Sequence, residues 1–552
     1  MLRFITMFLL VHVMHLELNA QTKYWIQFTD KTNTPYTVTT PSAFLSTRSI
    51  QRRANQGIPV TVQDLPVDPN YISQVLAAGA VTILNRSKWF NAITIQTVDA
   101  NALTTIQGFP FVVSVQPVQR YTRDNSFEEN SIAPGDLPTA KMLNDPELQV
   151  FNYGTSFTQV DQIGMVCMHN LGFTGTNMVI AVLDAGFQNA DTLTAFDSLY
   201  LQNRILGTWD FVANEASVYE DHWHGTMVLS CMGANWQGQV IGTAPHAKYW
   251  LLRTEEAATE FIIEEDNWVS GAEFADSVGA DVLNTSLGYT VYDSASQSHT
   301  YADMDGNTCR ISIATDIAVS KGMFAVASAG NSGASAWFFI GAPADADSVL
   351  AIGAVDNTGA YVNFSSKGPS FDGRVKPNVA AQGLNCVVAS PNGGIVNASG
   401  TSFASPLTAG GVACLWQANP TYSVMQIFNA IQGSASQSLT PDSLLGYGIS
   451  DFCGANLIVG GSNSEGSPII LNPYPNPFNS FVSFSYFSLT SQEIMVSILD
   501  ISGKRINEEN ISVAAGASHT FFLSDLDDLA PGVYFLTVSS PSGKITRKLV
   551  KI

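Results

Sequence analysis

The sequence predicts three folded units: a large α/β domain on a parallel sheet, a small mixed α/β unit before it and a small all-β sandwich after it. Between residues 149 and 457, short apolar runs (NMVIAVLDAG, AKYWLLRT, ADVLNTSLG, GMFAVASAGN, SVLAIGAVD) alternate with helical pieces such as ISIATDIAVSKG. Near-continuous apolar runs of this kind fit strands buried on both faces of a parallel sheet. Between residues 21 and 123, KYWIQFTD, YISQVLAAGA, VTILNRS, NAITIQTV, ANALTTIQGF and FVVSVQPV mix strand and helix periods. From residue 473 onward, FVSFSYF, EIMVSILDISGK and GVYFLTVSSPSGKITRKLVKI alternate with period two. Turn pairs Ser502-Gly503, Pro531-Gly532 and Ser542-Gly543 separate them, the pattern of a β-sandwich. A chain of 552 residues exceeds what one core holds, in keeping with several domains.

The connecting segments have their own character. Residues 1–20, MLRFITMFLLVHVMHLELNA, join Arg3 to an apolar run and a small residue before Gln21. This is a signal-peptide pattern, too short and too interrupted by His12, His15 and Glu17 to span a membrane. Residues 124–148 are polar and acidic with Pro134 and Pro138, and residues 458–472 are rich in Gly and Ser; both read as linkers. The expectation is an exported protein without a transmembrane segment.

Charge narrows the functions. The chain has 46 acidic and 25 basic side chains, a net charge of −21, and such a surface repels nucleic acid and anionic membranes. The six cysteines (Cys167, Cys231, Cys309, Cys386, Cys414, Cys453) are scattered, with no CxxC spacing. Cys231 and Cys414 sit in small-residue helical patterns and read as packed thiols. Pairing among the others is left open.

Three residues stand out for chemistry. Asp184 ends the run VIAVLD before Ala185-Gly186, an acid at the carboxyl end of a buried strand, where open α/β sheets hold ligands. His224 opens HGTMVLSCMGA. Its followers Gly225 and Thr226, small enough to allow close approach, distinguish it from His222. Ser402 lies in NASGTSFASPLTAGGVACLW, where a helix starting at the serine projects the hydroxyl into a cleft and offers its own N–H to an oxyanion. Pro406 is tolerable in an early turn, and Ala409, Gly410, Gly411 and Ala413 let that helix pack tightly against a sheet.

The chain order Asp, His, Ser is that of the subtilisins. The segments IAVLDAG, HGTMV, NTSLG, ASAGNSG and GTSFASP resemble the five signature segments of the subtilisin-like serine proteases, the nucleophile motif residue for residue. The resemblance covers about 300 residues and implies a catalytic triad of Asp184, His224 and Ser402. It implies an oxyanion hole of the Asn331 side chain and the Ser402 N–H. Ser286, Leu287 and Gly288, with Ala329 and Gly330, match the edges on which a substrate adds as a β-strand. Departures also stand out: Met227-Val228-Leu229 is bulkier than the family's usual His-Val-Ala.

An insertion, YTVYDSASQSHTYADMDGNTCR, carries Asp303, Asp305 and Asn307. It hints at a calcium loop but lacks a bidentate acid at the expected distance, so a polar surface loop is expected. Asn397-Ala398-Ser399 forms a glycosylation sequon of little weight. By resemblance, residues 21–123 are an inhibitor-like propeptide, 124–148 the processing region, and 149–457 the catalytic domain. Residues 473–552, with YPNPFN, ILDISGK and LAPGVYFLTV, resemble the sorting domains recognised by the type IX secretion system.

The implied protein is a secreted or surface-associated serine endopeptidase, made as a self-processing precursor. Its chemistry requires no metal or other cofactor, with structural calcium an open possibility. Its implied partners are polypeptide substrates, its own propeptide and the secretion machinery, and no nucleic acid. The alternative is an inactive protease fold serving as a surface binding protein or adhesin.

Overall fold

The computed structural model describes residues 22–120, 132–135, 150–460, 469–470, 473, 477–487, 491–514, 518–524, 526–541 and 543–552. The expected signal peptide and most of both expected linkers lie outside the described residues.

In the N-terminal unit, β1 (Thr22–Phe28), β2 (Val81–Ser87), β3 (Ala92–Thr97) and β4 (Val112–Arg120) form an antiparallel sheet of order β2-β3-β1-β4. Helices α1 (Thr47–Asn55), α2 (Pro69–Ala77) and α3 (Ala100–Gln107) accompany it. The side chains of Ser46, Asp68 and Asp99 cap the starts of these helices, satisfying N–H groups that a helix leaves unpaired. Strand alternation gives the sheet two apolar faces. Ile26, Ile93 and Ile95 join Val75 and Ile106 in the unit's own core. Trp25, Ala92 and Val118 instead pack with Phe261 and Ile263 of the central domain.

The central domain is built on β5 (Val179–Asp184), β6 (Ile205–Asp210), β7 (Lys248–Arg253), β8 (Val282–Thr285), β9 (Phe324–Ser328), β10 (Leu350–Val355) and β11 (Val379–Gln382). These form one parallel sheet of order β11-β10-β9-β8-β5-β7-β6. Every residue of β5, β8, β9, β10 and β11 is buried, so the apolar runs in the sequence do mark strands covered on both faces. The covering helices include α4 (Met165–Asn170), α5 (His224–Gly233), α6 (Ile263–Val278), α7 (Arg310–Ser320), α8 (Thr401–Ala418), α9 (Val424–Ser434) and α10 (Phe452–Gly460). The chain runs from β5 to β6 and β7 on one side, then returns to build β8 through β11 on the other. The resulting switch point, between β5 and β8, is where a crevice opens at the carboxyl ends.

Helix α8 is buried from Thr401 to Trp416. A Cβ at Gly410 would come within 2.0 Å of Thr243 Oγ1, and one at Gly411 within 2.2 Å of the Phe452 ring. These glycines therefore serve close packing as expected, but against a loop and α10 rather than against the sheet. A disulfide joins Cys167 of α4 to Cys453 of α10. Cys231 and Cys414 are buried free thiols, as are Cys309 and Cys386.

A hairpin of β12 (Cys386–Ala389) and β13 (Ile395–Ser399) also belongs to the central domain. In the C-terminal unit, β14 (Val482–Phe487) pairs with β17 (Ser518–Leu523). The second sheet contains β15 (Gln492–Asp500), β16 (Arg505–Val513), β18 (Gly532–Ser540) and β19 (Gly543–Lys551), in the order β16-β15-β18-β19. Phe484 and Tyr486 from one sheet meet Val496, Ile498, Leu536, Val538 and Leu549 from the other, which makes the unit a sandwich.

Candidate active site

Asp184 is the last residue of β5 and is fully buried. The Ala185 N–H donates to its Oδ1 at 2.8 Å, and the same oxygen lies 2.7 Å from His224 Nδ1. The other oxygen, Oδ2, is buried and has no hydrogen-bond partner among the described residues. Arg253, paired with Asp184 in the parallel register, donates from Nε to the Ala185 carbonyl at 3.1 Å and so fixes the turn after the acid.

His224 begins α5 and is 1% exposed. A Cβ at the next residue, Gly225, would lie 2.3 Å from the Gly186 carbonyl oxygen and 3.0 Å from the Asp184 Cβ. Only glycine permits that approach, so the small neighbour is what brings the helix start onto the strand end. His222 takes a different position: its Nδ1 accepts from the His224 N–H at 3.4 Å.

Ser402 occupies the first turn of α8. Pro406 has no N–H to give the Ser402 carbonyl four residues back, and Ser286 Oγ donates to that carbonyl at 2.9 Å instead. Ser402 Oγ in turn donates to the Ser286 carbonyl at 3.2 Å. The His224 ring lies 6.0 Å from the ring of Phe403, the residue after Ser402.

Asn331 follows β9. Its Oδ1 accepts from the Thr401 N–H and the Thr401 hydroxyl, both at 2.9 Å, so the amide is oriented with Nδ2 on the opposite side. Gly400 has φ 154°, and a Cβ there would stand 3.5 Å from Asn331 Nδ2 and 3.7 Å from the Ser402 nitrogen. The space beside Gly400 is thus bounded by two N–H donors.

The two predicted edges converge on the same point. Ser286 and Leu287 are buried at the end of β8, and Gly288 is exposed. Ala329 is buried with Ile340, Ala344 and Ala351. The Gly330 N–H donates to Thr401 Oγ1 at 3.2 Å. All the predicted site residues therefore meet at the carboxyl end of the sheet. Thr401, which ties Asn331 and Gly330 to the start of α8, was not singled out in the sequence; its position next to Ser402 was the available signal.

Other expectations fare differently. Asp303 Oδ2 accepts from Thr300, and Asp305 Oδ1 from the Asn307 and Thr308 N–H groups, so both carboxylates close their own turns. Asn397 of the sequon is 6% exposed within β13, which gives a glycan no room. Within the expected linker 124–148, Ile132–Gly135 forms a strand antiparallel to β13, with Ser399 opposite Ile132.

Comparison with known proteins gives the family. Residues 175–448 match the Subtilase family, residues 23–131 the Peptidase S8 propeptide domain of Bacteroidota, and residues 472–552 the Secretion system C-terminal sorting domain. Subtilisin BL of Lederbergia lenta is 31% identical over 291 residues, covering 52% of this chain and 94% of that protein. Subtilisin E of Bacillus subtilis (strain 168) is 30% identical over 281 residues, covering 50% of this chain; the chain spans 65% of that relative. A solved structure, MycP1 with its N-terminal propeptide removed, covers 54% of this chain and 96% of that one at 23% identity and a TM-score of 0.43. The chain belongs to the subtilase family of serine peptidases, and it carries a family propeptide and the sorting domain of a protein exported by type IX secretion. Among the described residues no helix is long and apolar enough to cross a membrane.

Proposed function

We propose that the chain is the precursor of an exported serine endopeptidase that cuts peptide bonds in polypeptides through an acyl-enzyme on Ser402. The 2.7 Å contact of His224 Nδ1 with Asp184 Oδ1 carries this reading. With its Nδ1 proton held by Asp184, the imidazole has its lone pair on Nε2, the tautomer of a general base. Ser402 Oγ turns about χ1 from the Ser286 carbonyl and attacks the substrate carbonyl, while His224 takes the proton. The negative charge that develops on the substrate oxygen is received by Asn331 Nδ2 and the Ser402 N–H. His224 then gives its proton to the leaving amine, and water, activated by the same imidazole, releases the acyl group. Protein groups supply every step, without a metal or other cofactor.

The substrate strand adds along Ser286–Gly288 and Ala329–Gly330. The N-terminal unit acts as an intramolecular inhibitor, and the strand Ile132–Gly135 beside β13 supports self-processing, because it brings the connecting chain to within three residues of Ser402. Intact mass of the secreted-form precursor tests the reading. The parent chain loses its N-terminal unit, whereas His224→Ala and Asp184→Asn precursors keep it. Equal processing in all three would exclude the triad as the agent.

A further inference from the structure

Glu255, Glu260 and Glu264 form a cluster apart from the triad, each offering one carboxylate oxygen, with all three oxygens within 4.8 Å of one another. Glu255 follows β7, and Glu264 lies in the first turn of α6. We propose that this cluster binds a divalent cation, with calcium as the preferred ion.

One observation beyond the cluster supports the site, and a second selects the ion. Glu264 is 1% exposed and its Oε2 has no hydrogen-bond partner among the described residues. A buried carboxylate oxygen left in that state is costly unless a cation receives it. Its Oε1 accepts from the Glu256 N–H at 3.3 Å, which fixes the carboxylate. The second observation is the donor set. Calcium accepts several carboxylates in a flexible shell, whereas magnesium keeps most of its waters and is usually held by one or two carboxylates. Three carboxylates gathered at one place suit calcium.

Neighbouring groups help hold the acids in place. The Tyr289 hydroxyl donates to Glu255 Oε2 at 2.9 Å. The Glu260 N–H donates to Asp293 Oδ2 at 3.2 Å, and the Asp293 N–H to the Glu260 carbonyl at 2.8 Å. Tyr289 directly follows the Ser286–Gly288 edge. A cation here fastens the segment between β7 and α6 to that edge, so occupancy stiffens one wall of the proposed substrate cleft. Binding itself does not depend on the triad reading.

The test uses the full-length precursor carrying Ser402→Ala, which keeps the chain uncut, after exhaustive treatment with chelator. Calorimetric titration with calcium chloride and thermal melting are followed in this protein and in versions that also carry Glu264→Gln or Glu260→Gln. Calcium binds and raises the melting temperature of the first protein, and magnesium does so less. Glu264→Gln weakens calcium binding at least tenfold yet melts no lower in chelator, because the amide removes a buried charge. Absence of a calcium response, or a response in both cluster variants equal to that of the first protein, overturns the proposal. An unchanged calcium response, together with poorer cleavage by Glu264→Gln in the active chain of peptides bearing Lys or Arg upstream of the cut, overturns it in favour of a basic substrate side chain.

Discussion

Arg53 of α1 and Asp276 of α6, 223 residues apart in the chain, meet through two contacts of 2.8 Å with both side chains buried. Asp276 also takes Arg52 at 2.6 Å and Lys88 at 3.0 Å, and these three cations hold its carboxyl well below the usual range despite burial. Three residues along α6, Glu273 accepts from Ser87 Oγ and from the Lys88 and Trp89 N–H groups. The N-terminal unit is therefore fastened to the central domain by buried charge pairs as well as by the Trp25 cluster.

Removing one partner from such a pair leaves charge buried without compensation, at a cost of about 3–5 kcal/mol. Arg53→Ala is expected to lower the yield of folded precursor and to release the cut N-terminal unit from the central domain at least tenfold more readily. Size-exclusion chromatography of the processed protein measures the release.

The same interface gives a pH dependence. Burial pushes the Asp266 carboxyl up to about 7 from an ordinary 3.8, against the pull of the neighbouring Arg310. Thr94 reaches Asp266 from the N-terminal unit, and Arg310 lies 4.2 Å from the Trp25 ring centre. Docking that raises the pKa takes up a proton between these two values. Between pH 5 and 8 affinity is therefore greatest at the acidic end, falls by up to about tenfold per pH unit as pH rises, and levels off above about 7; Asp276, which docking holds low, titrates below this range and acts in the opposite sense only there. Glu273 and Asp281, also raised by burial, act in the same sense. Asp266→Asn, which imitates the protonated form, flattens the profile; binding measured from pH 5 to 8 in both proteins tests this.

Gly400→Ala puts a methyl group between Asn331 Nδ2 and the Ser402 nitrogen at ordinary contact distances. It fills the proposed oxyanion space and adds backbone strain at φ 154°. The expected result is a fall in kcat of about 10²-fold, the worth of one oxyanion donor, with KM little changed. Steady-state kinetics on a peptide substrate, beside a thermal melt that shows the fold intact, is the measurement.

The Cys167–Cys453 disulfide closes a separation of 286 residues and anchors α10, whose Phe452 packs on α8 at Gly411. Cys167→Ser is expected to destabilise the central domain by about 2–4 kcal/mol, read as a lower denaturation midpoint with cleavage retained at low temperature.

These relationships divide by what a sequence can carry. The strand runs, Asp184, His224, Ser402 and Asn331 were legible because each chemical group sits at the end of a local pattern: a buried strand, a small-residue helix start, a Gly-Thr-Ser turn. Gly225 was legible for the same reason. The Cys167–Cys453 pairing was left open because spacing alone does not select a partner. The role of α6 was invisible. Glu273 and Asp276 look like a solvated acidic face until Arg52, Arg53 and Lys88 arrive from another domain. Asn397 met the glycosylation pattern, yet strand pairing buries it. The sequence offers Ser286 as an expected substrate edge, but its service to the carbonyl that Pro406 leaves unpaired depends on tertiary contact.

The central claim is that Ser402 is the nucleophile, and a fluorophosphonate probe tests it most directly. The processed parent protein and its Ser402→Ala counterpart, each freed of the N-terminal unit, are treated with the probe, digested and mapped by mass spectrometry. The account predicts one adduct, on the peptide containing Ser402, in the parent alone. No adduct in the parent, or equal labelling of the Ser402→Ala protein, would contradict it.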